Sequence, residues 1–73
     1  MLQLDVRSII PKEKHPRIMT EFGNLAIGES LELINDHNPI PLYHYFNAEM
    51  PEQFLWEYLE DGPEIWRVKI SRK

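Results

Sequence analysis

The chain lacks cysteine, has few glycines, carries no excess of basic charge and contains no long apolar run, and each absence removes a class of function. Without cysteine there is no disulfide, no thiolate nucleophile, no persulfide carrier and no Cys-ligated zinc or iron–sulfur site. Against 12 Asp plus Glu stand only 8 Lys plus Arg, for a formal net charge of −4. Nucleic-acid binding driven by phosphate neutralisation needs a basic footprint, so nucleic acid is not an expected partner. Nowhere do ~18 apolar residues run together, so no membrane-spanning helix and no membrane partner are expected. The start, with an acid at Asp5, does not read as a signal peptide, and a cytoplasmic location is the expectation. The three glycines stand singly and form no Gly-rich phosphate loop.

What is present suits a small globular domain. Hydrophobic residues make up 42% of the 73 positions and charged residues 27%, unlike a disordered chain. A chain this short supports one core, so residues 1–73 are expected to form a single domain of modest stability.

Hydrophobic periodicity orders the elements. Leu2, Leu4 and Val6 alternate with Gln3, Asp5 and Arg7, which is the pattern of a half-buried strand. Ser8 to Pro11 forms a turn, with Ile9 and Ile10 closing the end of the core. A helix follows from about Lys12 to Asn24; Pro16 is tolerated only in a first turn, so the helix should start no earlier than Lys12. Ile18, Met19, Phe22 and Leu25 form its apolar stripe. Leu31 and Leu33 mark a second strand, and Asn35 to Pro41 reads as a loop. Leu42, Tyr45 and Phe46 give a second helix, to about Glu49, before Pro51. Phe54, Trp56 and Tyr58 alternate along a third strand, which pairs as a hairpin with a strand carrying Trp66, Val68 and Ile70; Arg72 and Lys73 are expected to fray.

The order β-α-β-α-β-β predicts an α/β (α+β) two-layer sandwich, a four-stranded sheet with both helices on one face. Gln3, Asp5, Arg7, Glu32, Glu57, Arg67 and Lys69 then occupy the outer face, with charges suited to cross-strand pairing. The aromatic residues, Tyr43, Tyr45, Phe54, Trp56, Tyr58 and Trp66, have spacings that place them on inner faces as core rather than as a stacking platform for bases.

Leu4-Asp5-Val6-Arg7, followed without a gap by Gly28-Glu29, resembles the TusA or SirA-like sulfur carriers, whose pattern runs Leu-Asp-x-Arg-Gly-Leu-x-Cys-Pro-x-Pro. The resemblance implies a mixed sheet of order 1-2-4-3. It also marks a departure: Pro11 stands at the position of the sulfur-accepting cysteine, and Lys12 and Lys14 replace the prolines. Persulfide relay is thereby excluded. A bacterial family known as domain of unknown function 2249 is more similar still. Its pattern matches Leu4-Asp5-Val6-Arg7, Pro11-x-x-x-His15-Pro16, Asn35-Asp36-His37-x-Pro39-x-Pro41-Leu42 and Trp56-x-Tyr58-x-x-x-Gly62-Pro63-x-x-Trp66-Arg67-Val68, covering nearly the whole chain. That family has no settled activity. Its members occur alone or beside hemerythrin-like or other metal-associated domains, which implies a loose link to redox or metal metabolism.

Open α/β sheets place ligands beyond the carboxyl ends of parallel strands. Here that crevice should gather Arg7, His15, Asn35, Asp36 and His37, beside the N-terminus of the first helix, where free N–H groups favour an anion and Arg7, Lys12 and Lys14 add to the attraction. Arg7, His15, Asp36 and His37 are the expected ligand- or partner-binding residues. The competing reading pairs Asp5 with Arg7 and leaves Asn35 and Asp36 as turn caps. His15, His37 and His44 raise a metal site, with Asp36 as a carboxylate ligand, but spacings of 22 and 7 residues fit no compact metal motif. His44 falls between apolar helix positions and should face solvent. Glu57, Glu60, Asp61 and Glu64 form an acidic cluster that reads as a solvated turn. No nucleophile or acid–base pair is identifiable, so the expectation is a non-catalytic accessory or binding module without catalytic residues, cofactor or assigned metal. The alternative is a metal- or redox-linked module built on the crevice histidines.

Overall fold

Two strands that share only one buried face, joined by a helix with one apolar stripe, can close a core only by laying the stripe on that face. The computed structural model, which describes residues 1–73, is built on this unit. β1 (Leu2–Asp5), α1 (Pro11–Gly23) and β2 (Ser30–Asn35) are followed by α2 (Ile40–Glu49), β3 (Phe54–Asp61) and β4 (Trp66–Arg72). β1 and β2 are parallel, β4 is antiparallel to β2 and to β3, and the sheet order is β1-β2-β4-β3. This is the α+β sandwich expected from the element order, with the strand order that the TusA-like resemblance implies. No helix is long and apolar enough to cross a membrane.

Leu4, Val6, Leu31, Leu33, Val68 and Ile70 of the sheet's inner face meet Ile18 and Phe22 of α1 and Leu42 and Phe46 of α2 in one core. Phe46 is fully buried. Its ring stands edge-on to Phe22 at 5.1 Å and to Phe54 at 5.2 Å, an arrangement the aromatic quadrupole favours.

Several local expectations are corrected. α1 starts at Pro11, not Lys12, because a proline at the first helical position has its φ already set and needs no hydrogen bond. Pro16 therefore lies inside the helix, where its ring removes the N–H that Lys12's carbonyl would otherwise accept. α2 likewise begins at Ile40, two residues ahead of Leu42, with Pro41 in its first turn. Ile10, the residue that precedes α1, is 51% exposed, and only Ile9 packs on the core. Tyr45 of α2 is also exposed, and Tyr58 is exposed because α2 covers β3 only as far as Trp56; the Tyr58 hydroxyl instead donates to Asn38 Oδ1 at 2.8 Å.

The carboxyl terminus is fastened rather than frayed. Arg72 Nη1 donates to the carbonyls of Gly23 (3.1 Å) and Leu25 (2.7 Å), placing a cation at the negative end of α1, and Lys73 N–H bonds Gln53 O at 3.1 Å. On the uncovered sheet face, Glu32 is only 5% exposed because its strand is central and flanking side chains shield it. Arg67 compensates the buried carboxylate, with Nη1 at 3.2 Å from Glu32 Oε2 and Nε at 3.0 Å from Glu60 Oε1. A bulge makes the second contact possible: Tyr58 pairs with Val68 and Glu60 with Arg67, so Leu59 is the extra residue.

Candidate functional site

The carboxyl end of β2 and the starts of both helices surround a cavity of about 240 Å³. Alternation along β2 explains one wall: Leu31 and Leu33 face inward, so Asn35 does too, at the strand's last position. Helical spacing explains the other wall, since Lys14 lies one turn before the buried Ile18 and on the same face. His15 and His37 also line the cavity, and Ile18 and Leu42 form its apolar floor.

Asn35 is only 5% exposed, and its side-chain carbonyl accepts from Lys14 Nζ at 3.2 Å and from Asp36 N–H at 3.0 Å. Both partners are donors, which fixes the orientation of the amide. Its Nδ2 group has no acceptor in the protein and keeps solvent contact, since the one enclosed side-chain group without a partner is Trp56 Nε1. Neither helix has a side-chain cap: the residues preceding them are Ile10 and Pro39, which carry no hydrogen-bonding group. The helix starts meet the cavity chiefly through Pro11, Pro39 and Pro41, which carry no N–H, while Glu13 N–H and Tyr43 N–H are already bonded to Ile10 O and Pro39 O.

The four residues expected to bind divide two and two. His15 and His37 share the cavity; Arg7 and Asp36 stand outside its lining. Arg7 is held by its own strand, with Nη2 at 2.6 Å and Nε at 3.0 Å from the two oxygens of Asp5. Asp36 accepts from His37 Nδ1 at 2.7 Å, and an ionised carboxylate can only accept, so the imidazole proton sits on Nδ1. The His15 ring lies 5.5 Å from Tyr45, tilted by 51°. No three His, Asp or Glu side chains stand close enough to hold a metal ion together, and His44 is exposed. Lys14 and Asn35 also line the cavity: the sequence places Asn35 in the crevice and Lys14 among its basic neighbours, though neither is one of the four expected binding residues. Lys14's one-turn offset from Ile18, and the odd-numbered inward parity of Leu31, Leu33 and Asn35, are the signals that mark them.

Two carboxyls are shifted by their neighbours. The Arg7 guanidinium, and then the Arg7 backbone N–H, hold Asp5 below its ordinary 3.8, and the hydrogen bond from His37 does the same for Asp36. A carboxyl with a depressed folded pKa contributes stability above its unfolded pKa and loses it as pH falls through the folded value. Thermal melts followed by circular dichroism should therefore be flat near neutrality and show a falling Tm below about pH 4. Asp5→Asn should lower Tm at neutral pH and flatten part of the acid slope; an unchanged slope would show that the exposed pair contributes nothing.

Neither a curated protein nor a solved structure matches the chain. A family model described as "Uncharacterized conserved protein (DUF2249)" matches residues 3–72, and the chain belongs to that family.

Proposed function

We propose that the chain is a cytoplasmic, non-catalytic binding module that holds a small ligand, or the tip of a protein partner, in the cavity between β2 and the starts of α1 and α2. One observation carries this reading: Lys14, His15, Asn35 and His37, from two elements and a loop, converge on a single cavity of about 240 Å³ with an apolar floor. A few convergent polar groups over apolar walls is the usual makeup of a small-molecule site, and this volume suits a ligand smaller than a typical cofactor. The resemblance to the TusA-like scaffold supports the same location, because Pro11, which stands where those carriers have their cysteine, lines the cavity. With no nucleophile there, the residues hold rather than convert. A second reading, a metal- or redox-linked module, is favoured by His15 and His37 sharing the cavity, and would need ligands from the bound molecule or a partner.

Native mass spectrometry of untagged protein incubated with a metabolite extract tests both. The expected result is a small-molecule adduct that disappears in His15→Ala and His37→Ala while their circular dichroism stays unchanged. Retention of the adduct in both variants would remove the histidines from the site. Near one equivalent of metal by elemental analysis, lost in either variant, would favour the second reading.

A further inference from the structure

We infer that a second site binds a guanidinium group at the open end of the sheet's inner face, between Tyr58, Trp66, Asp61 and Asn38. These four residues line a hollow of about 340 Å³ that shares no residue with the cavity between β2 and the helices.

The bulge at Leu59 builds this site. Plain alternation from Tyr58 would bring Glu60 to the inner face. With Leu59 as the extra residue, Glu60 pairs instead with Arg67, and Asp61 pairs with Trp66. Residues directly opposite in an antiparallel pair share a face, so Asp61 stands on the inner side with Trp66, beside Tyr58. The cover that α2 gives β3 stops at Trp56, which leaves this group open to a ligand.

Both rings are held in place. The Tyr58 hydroxyl donates to Asn38 Oδ1 at 2.8 Å, and the Trp66 indole lies against Gly62 too closely for a Cβ to fit between them. The ring centroids are 6.2 Å apart with planes at 71°, so the rings make two walls of a corner. Aromatic faces attract cations through the ring quadrupole, Trp most strongly. Asp61 adds a full negative charge at the same place. It forms no ion pair and no side-chain hydrogen bond within the chain, whereas its neighbour Glu60 is bonded to Arg67. Asn38 Oδ1 keeps a second lone pair beyond the one that Tyr58 occupies.

The acceptors select the kind of cation. A guanidinium is planar and weakly hydrated, so it stacks on a ring while its edge donates paired N–H bonds to a carboxylate. A quaternary ammonium meets the rings but donates nothing to Asp61, and an anion meets repulsion from Asp61 and from a chain of net charge −4. Beyond Tyr58 an apolar groove continues over Ile40, Tyr43 and Trp56, which matches the carbon stem that carries a guanidinium.

NMR titration of the ¹⁵N-labelled full chain at neutral pH and constant ionic strength tests the site. The probes are n-butylguanidinium, its neutral isostere n-butylurea, tetramethylammonium, and arginine capped at both ends. Butylguanidinium should shift the Trp66 indole N–H and the Tyr58 and Asp61 backbone N–H resonances saturably, with Kd on the order of 1–10 mM for so small a fragment. Butylurea should bind at least about tenfold more weakly, and Asp61→Asn should weaken butylguanidinium about tenfold, since each forfeits the charge-assisted bonds. Tyr58→Leu should weaken it about fivefold through the lost ring face. Both substituted positions are exposed, so both variants keep the fold. Capped arginine binding more tightly than butylguanidinium supports the site and names a protein side chain as the source; the reverse order supports it and names a small alkylguanidine. Butylurea or tetramethylammonium binding as well as butylguanidinium would overturn the guanidinium assignment. No saturable shift, or shifts unaltered in both variants, would overturn the site itself.

Discussion

Phe46→Ala is expected to remove about 3–5 kcal/mol of stability, the range for truncating a buried aromatic in a core that cannot fully collapse. The whole domain has only roughly 4–11 kcal/mol to lose, at 0.05–0.15 kcal/mol per residue for a chain of this length. Phe46 ties α2 to two other elements: its ring stands against Phe22 of α1 and against Phe54 and, at 6.0 Å, Trp56 of β3, and it is fully buried. Removing it detaches α2 from the sheet and, with α2, one wall of the candidate cavity. Urea unfolding followed by tryptophan fluorescence is the measurement, since Trp56 sits in the affected cluster. Phe46→Leu, which keeps most of the volume, should cost about 1–2 kcal/mol. A loss below about 1 kcal/mol for the alanine variant would mean that α2 contributes little to the folded core.

Gly62→Ala should cost about 2–5 kcal/mol, from two sources that a second glycine separates. Gly62 has φ of +86°, where an L side chain adds about 1–2 kcal/mol. A Cβ there would also lie 2.5 Å from Trp66 Cζ2 and 2.6 Å from Cε2, so the indole must move and the hairpin with it, an overpacking penalty of about 1–3 kcal/mol. Gly28 has nearly the same backbone, φ +89°, at the third position of a turn closed by Glu29 N–H to Ala26 O at 3.0 Å, but nothing lies within 4 Å of its Cβ position. Gly28→Ala should therefore cost only the conformational part, about 1–2 kcal/mol. Equal losses for the two variants would remove the steric contribution of Trp66. A larger loss at Gly62, with altered tryptophan fluorescence, would locate it.

The aromatic cluster shows how a local pattern reaches its limit. Alternation of Phe54, Trp56 and Tyr58 assigns all three to the inner face of β3, and register agrees, pairing them with Arg72, Ile70 and Val68. Burial does not follow, because α2 is ten residues long and leaves Tyr58 43% exposed beyond it. The same geometry leaves Trp56 Nε1 enclosed without an acceptor. A face is a local property of the strand; coverage depends on the length and placement of another element.

Glu32 illustrates the converse. Its alternation with Leu31 and Leu33 puts it on the outer face, where an exposed acid is the natural reading. The strand order places it in the centre of the sheet, and the bulge at Leu59 brings Glu60 opposite Arg67, so a buried carboxylate shares one guanidinium with an exposed one. Neither has a sequence mark: the burial of Glu32 depends on Glu60 and Arg67, 28 and 35 positions away, and the bulge depends on the register of the β3–β4 hairpin, which alternation does not fix.

By itself the sequence determined the element order, the two amphipathic helices, the inner faces of the strands and the loss of thiol chemistry, because each follows from side-chain period or residue identity within a short window. It also supplied the residues of the family pattern. Tertiary structure decided which of the possible polar pairings form: the local Asp5–Arg7 pairing that the sequence offered is made, and Lys14 meets Asn35 across 21 positions. Arg7 satisfies its own neighbour Asp5, Asp36 is taken by His37, and the cavity is left to Lys14 and Asn35 beside His15 and His37. The physical reason is that hydrogen-bonding groups pair with whatever partner comes within about 3 Å: chain proximity does this for Asp5 with Arg7 and Asp36 with His37, and only packing does it for Lys14 and Asn35, 21 positions apart.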